Sequence, residues 1–148
     1  MAFQTKTFAA QDALVAALSA RPELASWRID FGLPAGRPEE QHIWVDENVS
    51  EWTQDLLTTG LESRNETFRI SVYIYDKKTG ADAKEIRDEL SDAAAVVSDT
   101  IGTSAFLGGV VMFAQIVGAE YEGAFADPQG RIREGVLKLA IECQGFLA

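Results

Sequence analysis

The most regular pattern in the chain runs from Phe68 to Tyr75. Phe68, Ile70, Val72 and Ile74 alternate with Arg69, Ser71, Tyr73 and Tyr75, so an extended segment has one apolar face and one polar and aromatic face. This period of two predicts a strand, ended by Asp76-Lys77-Lys78-Thr79-Gly80. The period then changes. Across Asp82–Ile101, the residues Ile86, Leu90, Ala93, Ala94, Val97 and Ile101 line one side of a helix. Lys84, Glu85, Asp88, Glu89, Asp92 and Asp99 line the other side, predicted to lie in water, and Gly102 is a natural stop.

The flanking segments read less sharply. Phe8–Ala20 is a helix with Leu14, Val15 and Leu18 on one face, Thr7 or Thr5 as its cap, and Arg21-Pro22 as its end. Trp27–Phe31 alternates as a half-buried strand, and His42–Val45 is a second strand. Val110–Val117 is apolar with little alternation, which predicts burial on both faces. Val136–Gln144 alternates again, with Leu137, Leu139, Ile141 and Cys143 on one face. The breaks at Gly32–Glu40, Glu47–Asn65 and Gly118–Gly130 read as loops within one domain, the second with room for a helical turn at Ser50–Leu57. The order α-β-β-β-α-β-β predicts an α+β domain: a mainly antiparallel sheet of about five strands with two helices packed on one face.

Length and composition agree with this picture. A chain of 148 residues, 47% apolar and 24% charged, is the size and make-up of one globular domain spanning residues 1–148. No apolar run approaches the ~18 residues of a membrane span, and the first residues lack the basic-then-apolar order of a secretory signal. The formal charge of −10, with scattered basic residues, argues against nucleic-acid binding as the main task.

Candidate chemistry is sparse. Cys143 is the one cysteine and His42 the one histidine, so neither an intrachain disulfide nor a Cys/His zinc cluster can form. Cys143 falls on an apolar strand face beside Glu142, a setting for packing rather than for a reactive thiolate. His42 lies near Asp46 and Glu47 but has no nucleophile at a useful spacing, and reads as a surface or strand-edge residue. No nucleophile elbow, zinc-protease motif or P-loop occurs. Gly102–Gly109 is glycine-rich but follows a helix, the reverse of a phosphate loop. The carboxylate pairs Glu39-Glu40, Asp46-Glu47 and Asp88-Glu89 are adjacent in sequence rather than set across a cleft. No catalytic, cofactor-binding or metal-binding residue is therefore assigned. Trp44, Trp52, Tyr73 and Tyr75 lie opposite apolar faces or in loops, where aromatic residues mark either a second covered side of the sheet or an interface.

The layout as a whole resembles the tail-terminator proteins of long-tailed phages. The resemblance runs from the helix with Ala13-Leu14-Val15-Ala16-Ala17-Leu18, through Trp27-Arg28-Ile29-Asp30-Phe31-Gly32-Leu33-Pro34 and Ile43-Trp44-Val45. It continues in Arg64–Val72, the helix after Gly80-Ala81-Asp82-Ala83, the Leu107-Gly108-Gly109-Val110 link and the closing strand. The segment Val49–Gly60 has no counterpart in that layout. The resemblance implies a non-enzymatic virion protein that forms a homohexameric ring, caps the tail tube and stops its polymerisation. It further implies a docking surface for head-completion or connector proteins, a lumen through which DNA passes without specific binding, and no cofactor, metal or membrane partner. The protein would assemble in the host cytoplasm and reside at the head-proximal end of the tail. Interface candidates, from loop position and exposed aromatic character, are Trp44, Trp52, Arg64, Glu66, Tyr73 and Tyr75, with the Pro34–Glu40 loop. The alternatives are another head-tail connector or tail-tube component, and a small oligomeric enzyme using His42 at a subunit interface.

Overall fold

The computed structural model describes residues 4–33, 40–56, 64–103, 107 and 109–147. The elements are α1 (Thr7–Ser19), a single 3₁₀ turn (Pro22–Leu24), β1 (Arg28–Phe31), β2 (His42–Leu56), β3 (Arg64–Thr79), α2 (Ala83–Thr103), β4 (Phe113–Phe125) and β5 (Ile132–Leu147). The five strands form one sheet in the order β1-β2-β3-β5-β4. β1 runs parallel to β2, and the other neighbours are antiparallel. The fold is α+β, with the expected order of helices and strands.

Both helices lie on one face of the sheet. α1 packs on β1 and β2, and α2 packs on β3, β5 and β4. The alternation read from Phe68 to Tyr75 decides which face this is. Phe68, Ile70, Val72 and Ile74 are fully buried, and their register partners Cys143, Ile141, Leu139 and Leu137 belong to the same core or pack against it. Burying each large aliphatic or aromatic side chain contributes about 1.5–3 kcal/mol. α2 supplies Ile86, Leu90, Ala93, Val97 and Ile101, as its period predicts, and keeps Lys84, Glu85, Asp88, Asp92 and Asp99 exposed. α2 comes close to the sheet because β5 has Gly135 beneath it: a Cβ there would meet Ile86 Cγ2 at 2.8 Å and Leu90 Cδ1 at 3.0 Å.

Four expectations are corrected. Glu47–Leu56 is strand rather than loop, so no helical turn begins at Ser50. The polar run Asp46-Glu47-Asn48 and two register shifts break the alternation that would have marked it. The buried Gln11 of α1 makes the first irregularity possible, its side-chain amide donating to the Asp46 and Glu47 carbonyls at 3.0 and 3.3 Å. Most of the Gly118–Gly130 loop is also strand, because β4 runs to Phe125. The segment Val110–Val117 is not covered on both faces: β4 is an edge strand, and Met112 and Val117 are exposed. At the start of α1 the cap position falls on Lys6 rather than on Thr5 or Thr7: Thr7 is already helical, and the Thr5 hydroxyl accepts its N–H at 3.0 Å. Residues 34–39 and 57–63 lie outside the described residues, so most of the Pro34–Glu40 loop is not placed.

Candidate interaction surface

The strand residues that alternate away from the helices form an open sheet face. Three of the six candidate residues meet there. Trp44 and Tyr73 are register partners across β2 and β3, and their rings stack with centroids 5.2 Å apart and planes 10° from parallel. Lys138, opposite Tyr73 on β5, holds its ammonium 5.7 Å from the Tyr73 ring centroid, and Glu120 on β4 stands opposite Lys138. One residue from each of four strands thus builds a transverse row. In the adjacent row, Tyr75 lies between His42 and Val136, with Glu122 beyond on β4.

Between these rows the face dips into a depression of about 370 Å³, lined by Trp44, Tyr73, Tyr75, Val136, Glu122 and Glu134, with two small residues completing it. The Tyr75 hydroxyl donates to the Glu134 carboxylate and fixes it beside the ring. A second depression, of about 300 Å³, lies over Ser71, Ala140 and Gly118, between Arg69 and Lys138.

Trp52, Arg64 and Glu66 collect elsewhere, on the helix side of the sheet near the first turn of α1. Glu66 is fully buried. Its carboxylate accepts hydrogen bonds from the Thr5 hydroxyl (2.7 Å), the Lys6 backbone N–H (2.7 Å), the Trp52 indole N–H (2.8 Å) and the Gln54 amide (2.7 Å). Burial pushes the Glu66 carboxyl upward, but these donors outweigh it and hold the group below its ordinary value. Arg64 reaches the same cluster by donating to the Gln54 side-chain oxygen at 3.3 Å. Trp52 packs edge-on against Phe8, centroids 6.0 Å apart, and is about one third exposed. The cluster ties the start of the chain to β2 and β3. Sequence reading missed this use of Glu66, although its place in the buried alternation of Phe68, Ile70 and Val72 was the available signal.

The remaining titratable groups sort by burial. His42 is buried, not at the surface, and its Nε2–H donates to Asp30 at 2.7 Å; Arg28 binds the same carboxylate at 2.7 Å. Its partner is thus Asp30, through the parallel β1–β2 pairing, rather than Asp46 or Glu47. Cys143 is buried, and burial together with the Glu142 charge pushes its thiol up to about 12, which suits packing. Asp76 is buried on the helix side at the far end of β3, hydrogen-bonded to Glu89 of α2, with no partner for its Oδ2. Burial, that hydrogen bond and the Glu89 charge push Asp76 up to about 7, while Glu89 is lowered. Lys78 binds Glu85 and Glu89 at 3.2 and 3.1 Å.

Among the described residues, no group of three or more His, Cys, Asp or Glu side chains is placed to hold a metal ion. No helix among the described residues is long and apolar enough to cross a membrane. Stacked aromatic rings, carboxylates and a long strand edge with no further partner among the described residues are features that can make contacts with another molecule. No protein-family model matches the chain, and no curated protein matches it.

Proposed function

We propose that the chain is a structural subunit of a long-tailed phage virion. About six copies close into a ring that caps the tail tube, stops its growth and offers a second surface to the head-completion or connector protein. The reading rests on the likeness of layout to tail terminators. The observation that carries it furthest is the one-sided sheet. Helices cover one face, while the other presents a row of aromatic and charged side chains across four strands.

A cap needs contacts to its own copies and to two different neighbours, and the fold offers three distinct surfaces. The first is the open sheet face. The second is the outer edge of β4, which has β5 as its one partner among the described residues and carries the exposed Val117, Tyr121 and Phe125. Soluble monomers usually protect a strand edge of this length. The third is the acidic outer side of α2. A lumen lined by part of the −10 charge would pass DNA without holding it.

The test is polymerisation of purified tail-tube protein with the chain added in small amounts. Capping shortens the tubes at about one ring per tube end, whereas an unchanged length distribution rejects the reading. Replacing lumen carboxylates by amides should slow DNA ejection from assembled particles, and unchanged ejection would remove the lumen role.

A further inference from the structure

We propose that the depression between Trp44, Tyr75 and the β4–β5 hairpin receives an arginine side chain from a partner protein. The inference stands on the geometry of the open face and does not need the tail-cap reading. Four features favour a guanidinium over other occupants. The lining is aromatic and aliphatic on one side and bears the two carboxylates Glu122 and Glu134 on the other, with no basic residue among the described residues that line it. A guanidinium is the group that stacks flat on an aromatic ring while its edge donates to carboxylates. Glu134 is already oriented by the Tyr75 hydroxyl, whereas Glu122 is exposed and has no hydrogen-bond or ion-pair partner among the described residues. The face also shows its affinity for cations internally, since Lys138 lies over the neighbouring Tyr73 ring. The volume of about 370 Å³ suits one long side chain rather than a folded element.

The strongly acidic chain selects the occupant's charge. At this depression, with its two carboxylates, the net charge of −10 favours a basic segment of another protein over the same acidic face of a second copy. A second copy is therefore the competing occupant to be tested.

The experiment titrates the full-length protein with two capped tripeptides, glycyl-arginyl-glycine and its citrulline counterpart, which keeps the shape but lacks the charge. The readout is the indole N–H signals of the three tryptophans. The expected result is a saturable shift of the Trp44 signal with the arginine peptide, with the Trp27 and Trp52 signals unmoved. The citrulline peptide should bind at least about fivefold more weakly, as should the Glu122→Gln/Glu134→Gln variant with the arginine peptide. Both substitutions lie on the face away from the core, and an unchanged urea midpoint checks that the variant is folded. Equal binding of the two peptides, equal binding by the variant, or no saturable shift overturns the proposal. So does a change in particle mass in the variant without peptide, because the face would then be a contact between copies.

Discussion

Trp44 and Tyr73 stack on the sheet face that no helix among the described residues covers, and Lys138 extends the same row over the Tyr73 ring. Trp44 is nevertheless buried, at 8% exposure. An aromatic pair of this kind adds about 0.5–1.5 kcal/mol beyond its area burial. Tyr73→Ala should therefore lower stability in urea by about 1–2 kcal/mol and reduce the near-ultraviolet circular dichroism of Trp44. Lys138→Met should change stability by less than about 0.5 kcal/mol, as exposed cation–ring contacts do. A Lys138 effect as large as the Tyr73 effect would mean that the cation, not the stack, organises the row.

Gly135 sets how closely α2 approaches the sheet. In Gly135→Ala the new methyl group would stand 2.8 Å from Ile86 Cγ2 and 3.0 Å from Leu90 Cδ1, so the helix or the strand must shift. The expected cost is about 1–3 kcal/mol by chemical denaturation. Pairing Gly135→Ala with Ile86→Leu should recover part of it, because leucine is unbranched at Cβ and lacks the Cγ2 methyl group that the new Cβ meets. Additive losses in the double variant would show that the two sites do not touch.

Asp76 and Glu89 share a hydrogen bond between two carboxyl groups, which requires a proton on one of them. Asp76 holds it: its folded value is about 7 against an ordinary 3.8. The stabilising contribution is complete below the ordinary value and is lost as pH rises through about 7. Stability should fall by about 4 kcal/mol between pH 4 and pH 8, set by Asp76, with the lowered Glu89 opposing the trend only at the acid end. Asp76→Asn keeps a donor toward Glu89 and does not titrate, so its curve should be flatter and should lie above the parent's at pH 8. Thermal melts across this range measure it, and parallel curves for the two proteins would remove Asp76 as the cause.

Glu66 works with the opposite sign. Its folded value is lowered, so its stabilisation is present above the ordinary value near 4.5 and disappears as pH falls through the folded value. Glu66→Ala leaves the donors of Thr5, Lys6, Trp52 and Gln54 without their shared acceptor and should cost about 2–3 kcal/mol. Hydrogen exchange should rise first at the start of α1. If the loss instead spreads evenly over all the strands, Glu66 is not a local tie.

The core was legible because the period of two at Phe68–Tyr75 and the helical period of Ile86–Ile101 each repeat long enough to fix a face. Half of the candidate surface was legible for the same reason, since Trp44, Tyr73 and Tyr75 are the off-core members of alternating strands. β2 beyond Val45 was not, because its register shifts on reaching Asp46-Glu47-Asn48 and the stabilising contacts come from β3 and Gln11. β4 was not, because Gly118 and Gly123 read as breakers although an edge strand tolerates them. Glu122 and Glu134 join the aromatic residues only through the pairing of β4 with β5, and the His42–Asp30 contact exists only because β1 lies parallel to β2.

The most direct test of the cap is the mass and shape of the particle in the presence of tail tubes, by light scattering followed by negative-stain microscopy. The account predicts closed rings of about six 16.1 kDa subunits, seated on one end of each tube. A protein that stays monomeric while both tube ends remain bare would contradict it.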